Sequence, residues 1–217
     1  MGGWLAQDGL GVGSFEYGWL SENVLSAEVV LFGGGRRTVR GEDLRSVLGA
    51  GGSRGLVVGA ILRTRHAHGD VPFGAHFDAP ENLAGAVVDI AGAGVPLWHL
   101  AFVNSEMSRA RGLGEGYLLF GAYPAERAED VEDPIRSVLE ARRGRALAPA
   151  EAYRAWGERF FPVAPGRPMP TAERTLVGLA ELAETLGDAR TSRGGALLGT
   201  VARSGEVLLL NVDPHEE

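Results

Sequence analysis

Glycines grouped where a backbone could meet a phosphate are the first chemically suggestive feature of this sequence. Gly9-Leu10-Gly11-Val12-Gly13 and the nearby Gly2-Gly3 invite a nucleotide-binding reading, because glycine lets backbone amides approach a pyrophosphate closely. The spacing differs from a Rossmann fingerprint and no helix is expected after Gly13. A Gly-Lys-Ser/Thr phosphate loop is excluded, since every cationic residue is Arg. A cluster of this kind also serves as a structural turn. Of the five histidines, His76 and His99 fall within predicted strands and are weak catalytic candidates, although a strand histidine is ordinarily a core or surface residue. His66 and His68 form a pair without the further ligands that a zinc site needs, so no metal is expected. The chain has no cysteine, which removes disulfides, iron-sulfur clusters and thiolate chemistry, and any redox activity must come from an organic cofactor.

Those residues must be positioned by secondary structure, and its signals change along the chain. In the first third, Val24 to Leu31 reads as a strand, Gly33-Gly34-Gly35 as a turn, and Arg37 to Arg40 as the returning strand. A short helix with Leu44, Val47 and Leu48 on one face ends at Gly49, and Gly55 to Leu62 reads as a buried strand. The polar segment from His66 to Asp70 marks a domain boundary, giving units 1–68 and 69–217.

After that boundary, strands alternate with amphipathic helices, which predicts an α+β layer of helices on an antiparallel sheet. Strands are expected at Val71 to Phe77, Pro96 to Val103 and Gly116 to Tyr123. A helix capped by Asp78, with Glu81 three positions on, presents Leu83, Val87 and Ile90. Asp133-Pro134 is expected to open a helix with Ile135, Val138 and Leu139 on its apolar face. The five carboxylates from Glu126 to Asp133 read as its solvated start. Tyr153, Trp156 and Phe160 form one further core-facing stripe, and Leu179, Leu182 and Leu186 another. Ala196 to Val201 should pair with Val207 to Val212 as a closing hairpin.

The chain has 217 residues, 45% hydrophobic, enough for one sizeable core or a small domain joined to a larger one. A net charge of -7 with no basic run gives no electrostatic footprint for nucleic acid or an anionic bilayer. With no signal peptide and no stretch near the ~20 apolar residues of a membrane span, a cytoplasmic protein is expected.

Read as one unit, the first third resembles the FAD-linked oxidases with a PCMH-type flavin domain, the group of vanillyl-alcohol oxidase, glycolate oxidase and D-lactate dehydrogenase. Gly2-Gly3-Trp4-Leu5-Ala6-Gln7-Asp8-Gly9-Leu10-Gly11, Tyr17-Gly18 and Glu22-Asn23-Val24-Leu25-Ser26-Ala27-Glu28-Val29-Val30-Leu31 are similar to Gly-Gly-Asn-Ile-Ala-Thr-Asn-Ala-Gly-Gly, Tyr-Gly and Asp-Asn-Val-Leu-Gly-Leu-Glu-Val-Val-Leu, without a gap. A second block, Gly52-Ser53-Arg54-Gly55-Leu56-Val57-Val58-Gly59-Ala60-Ile61-Leu62-Arg63, resembles Gly-Thr-Leu-Gly-Val-Val-Thr-Glu-Ala-Thr-Leu-Arg.

The resemblance implies FAD as cofactor, held by Gly2, Gly3, Ala6, Gly9, Gly11, Val24, Gly52, Gly55, Leu56 and Val57, mostly through backbone groups. It implies a partial PCMH-type subdomain followed by a ferredoxin-like α+β cap, and hydride transfer from an alcohol or 2-hydroxy acid. The family's Pro-Arg-Gly-Gly-Gly-Thr/Ser loop would lie upstream of Met1, and Gln7, Asp8 and Leu10 depart from the pattern. The missing half then comes from a second polypeptide, or the frame is cut short, or flavin has been lost and the chain is an interaction module. A homo-oligomer is also open. The Gly-His-x-Gly-Asp-Gly-Asn motif of the hydroxy-acid branches is absent, which counts against a lactate-type substrate.

Overall fold

Short β-branched segments separated by glycine turns build the first third of the molecule, and the computed structural model describes residues 2–67, 69–159, 172–189 and 195–212. Helix α1 (Gly2–Gln7) and the single turn α2 (Ser14–Tyr17) precede strands β1 (Val24–Val30), β2 (Arg36–Arg40) and β3 (Leu56–Leu62). These strands form an antiparallel sheet in the order β2-β1-β3, with Ala27 opposite Val39 and Val29 opposite Val57. Leu5 of α1 packs on Val24, Ala27, Val29, Val39 and Val57, together with Leu44, Val47 and Leu48. The helix expected at Leu44 is a 3-10 turn over Gly41–Ser46 that buries those same leucines and valine. Gly55 has to be glycine: its φ is +138°, and an added Cβ would lie 2.5 Å from the Val30 carbonyl oxygen.

The rest of the chain runs β4 (Asp70–Phe77), α3 (Pro80–Gly92), β5 (His99–Val103), α4 (Ser105–Ala110), β6 (Tyr117–Pro124), α5 (Ala128–Ala141), β7 (Arg145–Ala146), α6 (Pro149–Gly157), β8 (Ala172–Gly178), α7 (Leu182–Ala189), β9 (Ala196–Val201) and β10 (Glu206–Val212). The strands make one antiparallel sheet in the order β7-β4-β6-β5-β9-β10-β8. Its first four strands have the βαββαβ connectivity and order of a ferredoxin-like unit, and the closing β9–β10 hairpin extends it as expected. Strand alternation divides the core between two faces. Leu100 and Phe102 point to a layer that includes Leu83, Val87, Ile90, Ile135, Leu139, Leu182 and Leu186 of α3, α5 and α7. Ala101 and Val103 belong to the opposite face with Trp98, Phe120, Leu198, Met107 and Trp156.

Several expectations are corrected. Asp78 does not cap α3; the cap position is Ala79, in extended backbone, and Pro80 opens the helix with its fixed φ. Helix α5 starts at Ala128, not Asp133. Pro134 is inside it, tolerated because Val131, Ile135 and Leu139 share one buried stripe and Glu129 and Asp130 favour the first turn. A turn of helix does follow Gly13. Strand β8 had no clear signal. Trp156 is core whereas Tyr153 is 55% exposed, and Phe160, His68 and His215 lie outside the described residues. Among the described residues, no helix is long and apolar enough to cross a membrane.

Candidate functional site

Between the two sheets the chain from Asp8 to Asn23 folds into a loop held by its own polar groups. Asp8, at φ +47°, reverses the chain after α1, and its Oδ1 accepts from the amides of Gly9 at 2.9 Å and Ser21 at 3.0 Å. The Gly11 amide donates to Ser14 Oγ at 2.8 Å. Asn23 Nδ2 donates to the carbonyls of Tyr17 and Trp19 at 2.8 and 2.9 Å. The loop is anchored to the large sheet by the Arg203 amide, which donates to the Ser14 carbonyl at 2.9 Å, and by the Glu16–Arg127 ion pair at 2.9 Å.

Under this loop opens a cavity of about 650 Å³. Gly9, Gly11, Gly13 and Gly18 line it, as do Arg63, Arg65, Trp98, Arg203 and Glu22. Arg65 is paired with Asp70 at 3.0 Å and lies over the Trp98 ring at 4.2 Å. Among the described residues Arg63 and Arg203 have no hydrogen-bond or ion-pair partner for their guanidinium groups, and the cationic side chains outnumber Glu22, the carboxylate in the same lining. Trp4 and Tyr17 contribute aromatic surface.

A second cavity of about 440 Å³ adjoins the first and shares Trp4, Gly11 and Val12 with it. Its floor is the face of the large sheet opposite α3, α5 and α7, with Ala101, Phe120, Leu198 and Leu210, so it is mostly apolar. His99 borders this cavity. Burial drives its imidazole down to a pKa of about 3, helped by the positive charge of Arg159, so it is neutral at physiological pH.

The residues named from the sequence separate into groups. Gly9 and Gly11 line the large cavity. An added Cβ at Gly11 would lie 2.8 Å from Cζ2 of Trp4, and one at Gly9 would lie 3.3 Å from its Nε1, so the indole rests on these two positions. Ala6 is joined to the second glycine segment, since its carbonyl accepts from the Gly51 amide at 2.8 Å, next to Gly52. Gly2 starts α1 close to the Val57 carbonyl, and Gly3 faces open space. Val24 and Val57 belong to the small-sheet core, Gly55 abuts β1, and Leu56 is 67% exposed. Thus the two segments meet, while the cavity takes in Gly9 and Gly11 alone among those named.

His76 is buried on β4 against Gly114, where burial lowers its pKa, and it borders neither cavity. No group of three metal-ligating side chains occurs among the described residues. The arginines of the cavity and Trp98 were not singled out from the sequence. Arg63 closed the second quoted block and carried a usable signal; Arg203, at the far end of the chain, had none.

No protein-family profile matches the sequence, and no curated protein matches it. Solved structures do share its fold. An alkyldihydroxyacetonephosphate synthase superposes with a TM-score of 0.69 at 16% identity, over 97% of this chain and 50% of that one. FgChi7B gives 0.67 at 17% identity, over 98% and 54%, and BBE-like 1 of Physcomitrella patens gives 0.64 at 13%, over 99% and 55%. The chain therefore spans about half the length of the structures it resembles.

Proposed function

We propose that this chain is the second half of a PCMH-type flavin subdomain, residues 1–68, joined to a substrate-side cap, residues 69–217, of an FAD-dependent oxidoreductase acting on an alcohol or 2-hydroxy acid. The observation that carries the reading is one cavity lined both by the glycine segment and by Arg63, Arg65 and Arg203. The lining suits an anionic dinucleotide: guanidinium groups suit phosphate, and Trp4, Tyr17 and Trp98 offer flat surfaces to a ring system, while the amides of Gly9, Gly11, Gly13 and Gly18 are bonded within the protein. Bound there, FAD would supply the hydride acceptor, and the chain's residues would orient it and limit access of water. The rest of the flavin's surroundings is assigned to the half of the fold that the similar structures have beyond this chain, on the same or a second polypeptide.

The test is reconstitution of the full chain with FAD, followed by visible flavin absorbance and by calorimetry. Binding should weaken about tenfold in Arg203→Ala, in line with loss of one charged contact of roughly 1.5 kcal/mol, while the fold is unaffected. Absence of flavin binding, both alone and with co-expressed flanking sequence, overturns the proposal. A second reading, an interaction module without flavin, draws on β3. That strand is an edge of its sheet, and Leu56, Val58 and Ile61 on it are exposed.

A further inference from the structure

Two polar side chains in the wall of the apolar cavity each keep one donor without a partner among the described residues. His99 is 3% exposed, and its Nδ1 accepts from the Gly13 amide at 3.4 Å. An accepting ring nitrogen carries no proton, so the neutral imidazole holds its proton on Nε2. Among the described residues Nε2 has no hydrogen-bond partner, and His99 lines the cavity. Thr200 is 7% exposed on the same sheet face, lines the cavity too, and its hydroxyl likewise has no partner among the described residues.

Sheet register brings the two groups together. Thr200 is opposite Ala101, and His99 precedes Ala101 by two residues on the same face, so His99 and Thr200 are diagonal neighbours on adjacent strands. At that spacing of roughly 7–8 Å, both side chains can reach one atom placed between them.

We infer that His99 Nε2–H and the Thr200 hydroxyl together hold the oxygen of a neutral, apolar alcohol, with its aryl or alkyl body on Ala101, Phe120, Leu198 and Leu210. This rests on the flavoenzyme reading, and it narrows that reading away from 2-hydroxy acids. A carboxylate here would be buried against a neutral imidazole. Arg159, the cation in the wall, is held on Trp156 by stacking at 4.1 Å and by donation to its carbonyl, so a carboxylate would have to draw it off that ring. In this arrangement His99 donates to the substrate oxygen and is not the group that takes its proton.

Benzyl alcohol and mandelate are a matched pair of probes, since they share a ring and differ by one carboxylate. They are titrated into the full chain with no flavin added and followed by the ring ¹⁵N–¹H correlations of its histidines. Expected are the Nε2–H tautomer for His99, a shift of that signal with benzyl alcohol, and binding of mandelate at least about tenfold weaker. Thr200→Val, close to isosteric, should weaken benzyl alcohol about three- to tenfold, as loss of one neutral hydrogen bond does. His99→Phe should do the same where it folds. Mandelate binding as tightly as benzyl alcohol overturns the inference, as does an unchanged affinity in Thr200→Val. Flavin binding is scored on separate samples, so a chain that takes up FAD but ignores benzyl alcohol sinks this inference alone. A chain that binds benzyl alcohol but never FAD sinks the flavoenzyme reading and leaves the oxygen-binding pair intact.

Discussion

Gly11→Ala is the substitution that best separates a glycine kept for a neighbouring side chain from one kept for a turn. The backbone at Gly11 is outside the left-handed region, so alanine costs nothing there by conformation alone. The obstacle is Trp4, whose Cζ2 and Cη2 would lie 2.8 and 3.3 Å from the new Cβ. Carbon atoms prefer about 3.5–4.0 Å, so the indole must retreat by roughly 0.7 Å or more, at a cost of about 1–3 kcal/mol. Removing the ring by Trp4→Ala abolishes the clash, and in that background Gly11→Ala should become neutral or stabilise by about 0.4–1 kcal/mol by restricting the unfolded chain. A double-mutant cycle read by urea unfolding should therefore return a coupling of about 2 kcal/mol. If the two substitutions add to within about 0.5 kcal/mol, the ring does not explain the glycine.

Two further outcomes follow from local geometry. Gly55→Ala should lose about 3–5 kcal/mol, combining a φ of +138° with collision against Val29 and Val30, whereas Gly52→Ala, at φ +81° with open space around it, should lose about 1–2 kcal/mol; equal losses in thermal unfolding would contradict this. For His99 the folded pKa of about 3 lies below the ordinary 6.5, so the unfolded chain binds the extra proton. Its contribution is complete above pH 6.5 and declines as pH falls toward 3, by about 2 kcal/mol at pH 5. Urea midpoints of the native protein should fall between pH 7.5 and 5 more steeply than those of His99→Gln, and parallel curves would refute the assignment.

The fold was legible wherever one segment's own pattern determined its partner. The hairpin of Val24–Val30 with Arg36–Arg40 followed from β-branching and a glycine turn, and α3 from the spacing of Leu83, Val87 and Ile90. The apolar face of α5 was easier to read than its start. Pro134 signals a helix beginning, but a buried stripe that continues through Val131 outweighs one missing amide. The site was legible in halves. Glycines announced a wall, and Gly9 and Gly11 are on it, while others on the same list pack a sheet, because glycine reports close approach without saying what approaches. Arg203 and Trp98 join the cavity through sheet pairing that no local window contains.

The anchoring of the Asp8–Asn23 loop on the large sheet also bears on how the protein folds. Trp19 reaches Glu206 across 187 residues, and Arg174 donates to the Asp8 carbonyl across 166. Contacts of such long range form late, since much chain must be ordered before they close. The segment that walls both cavities therefore docks only once the β9–β10 hairpin, its docking ground, has formed. Removing that hairpin thus also removes the support of a glycine segment distant from it in sequence.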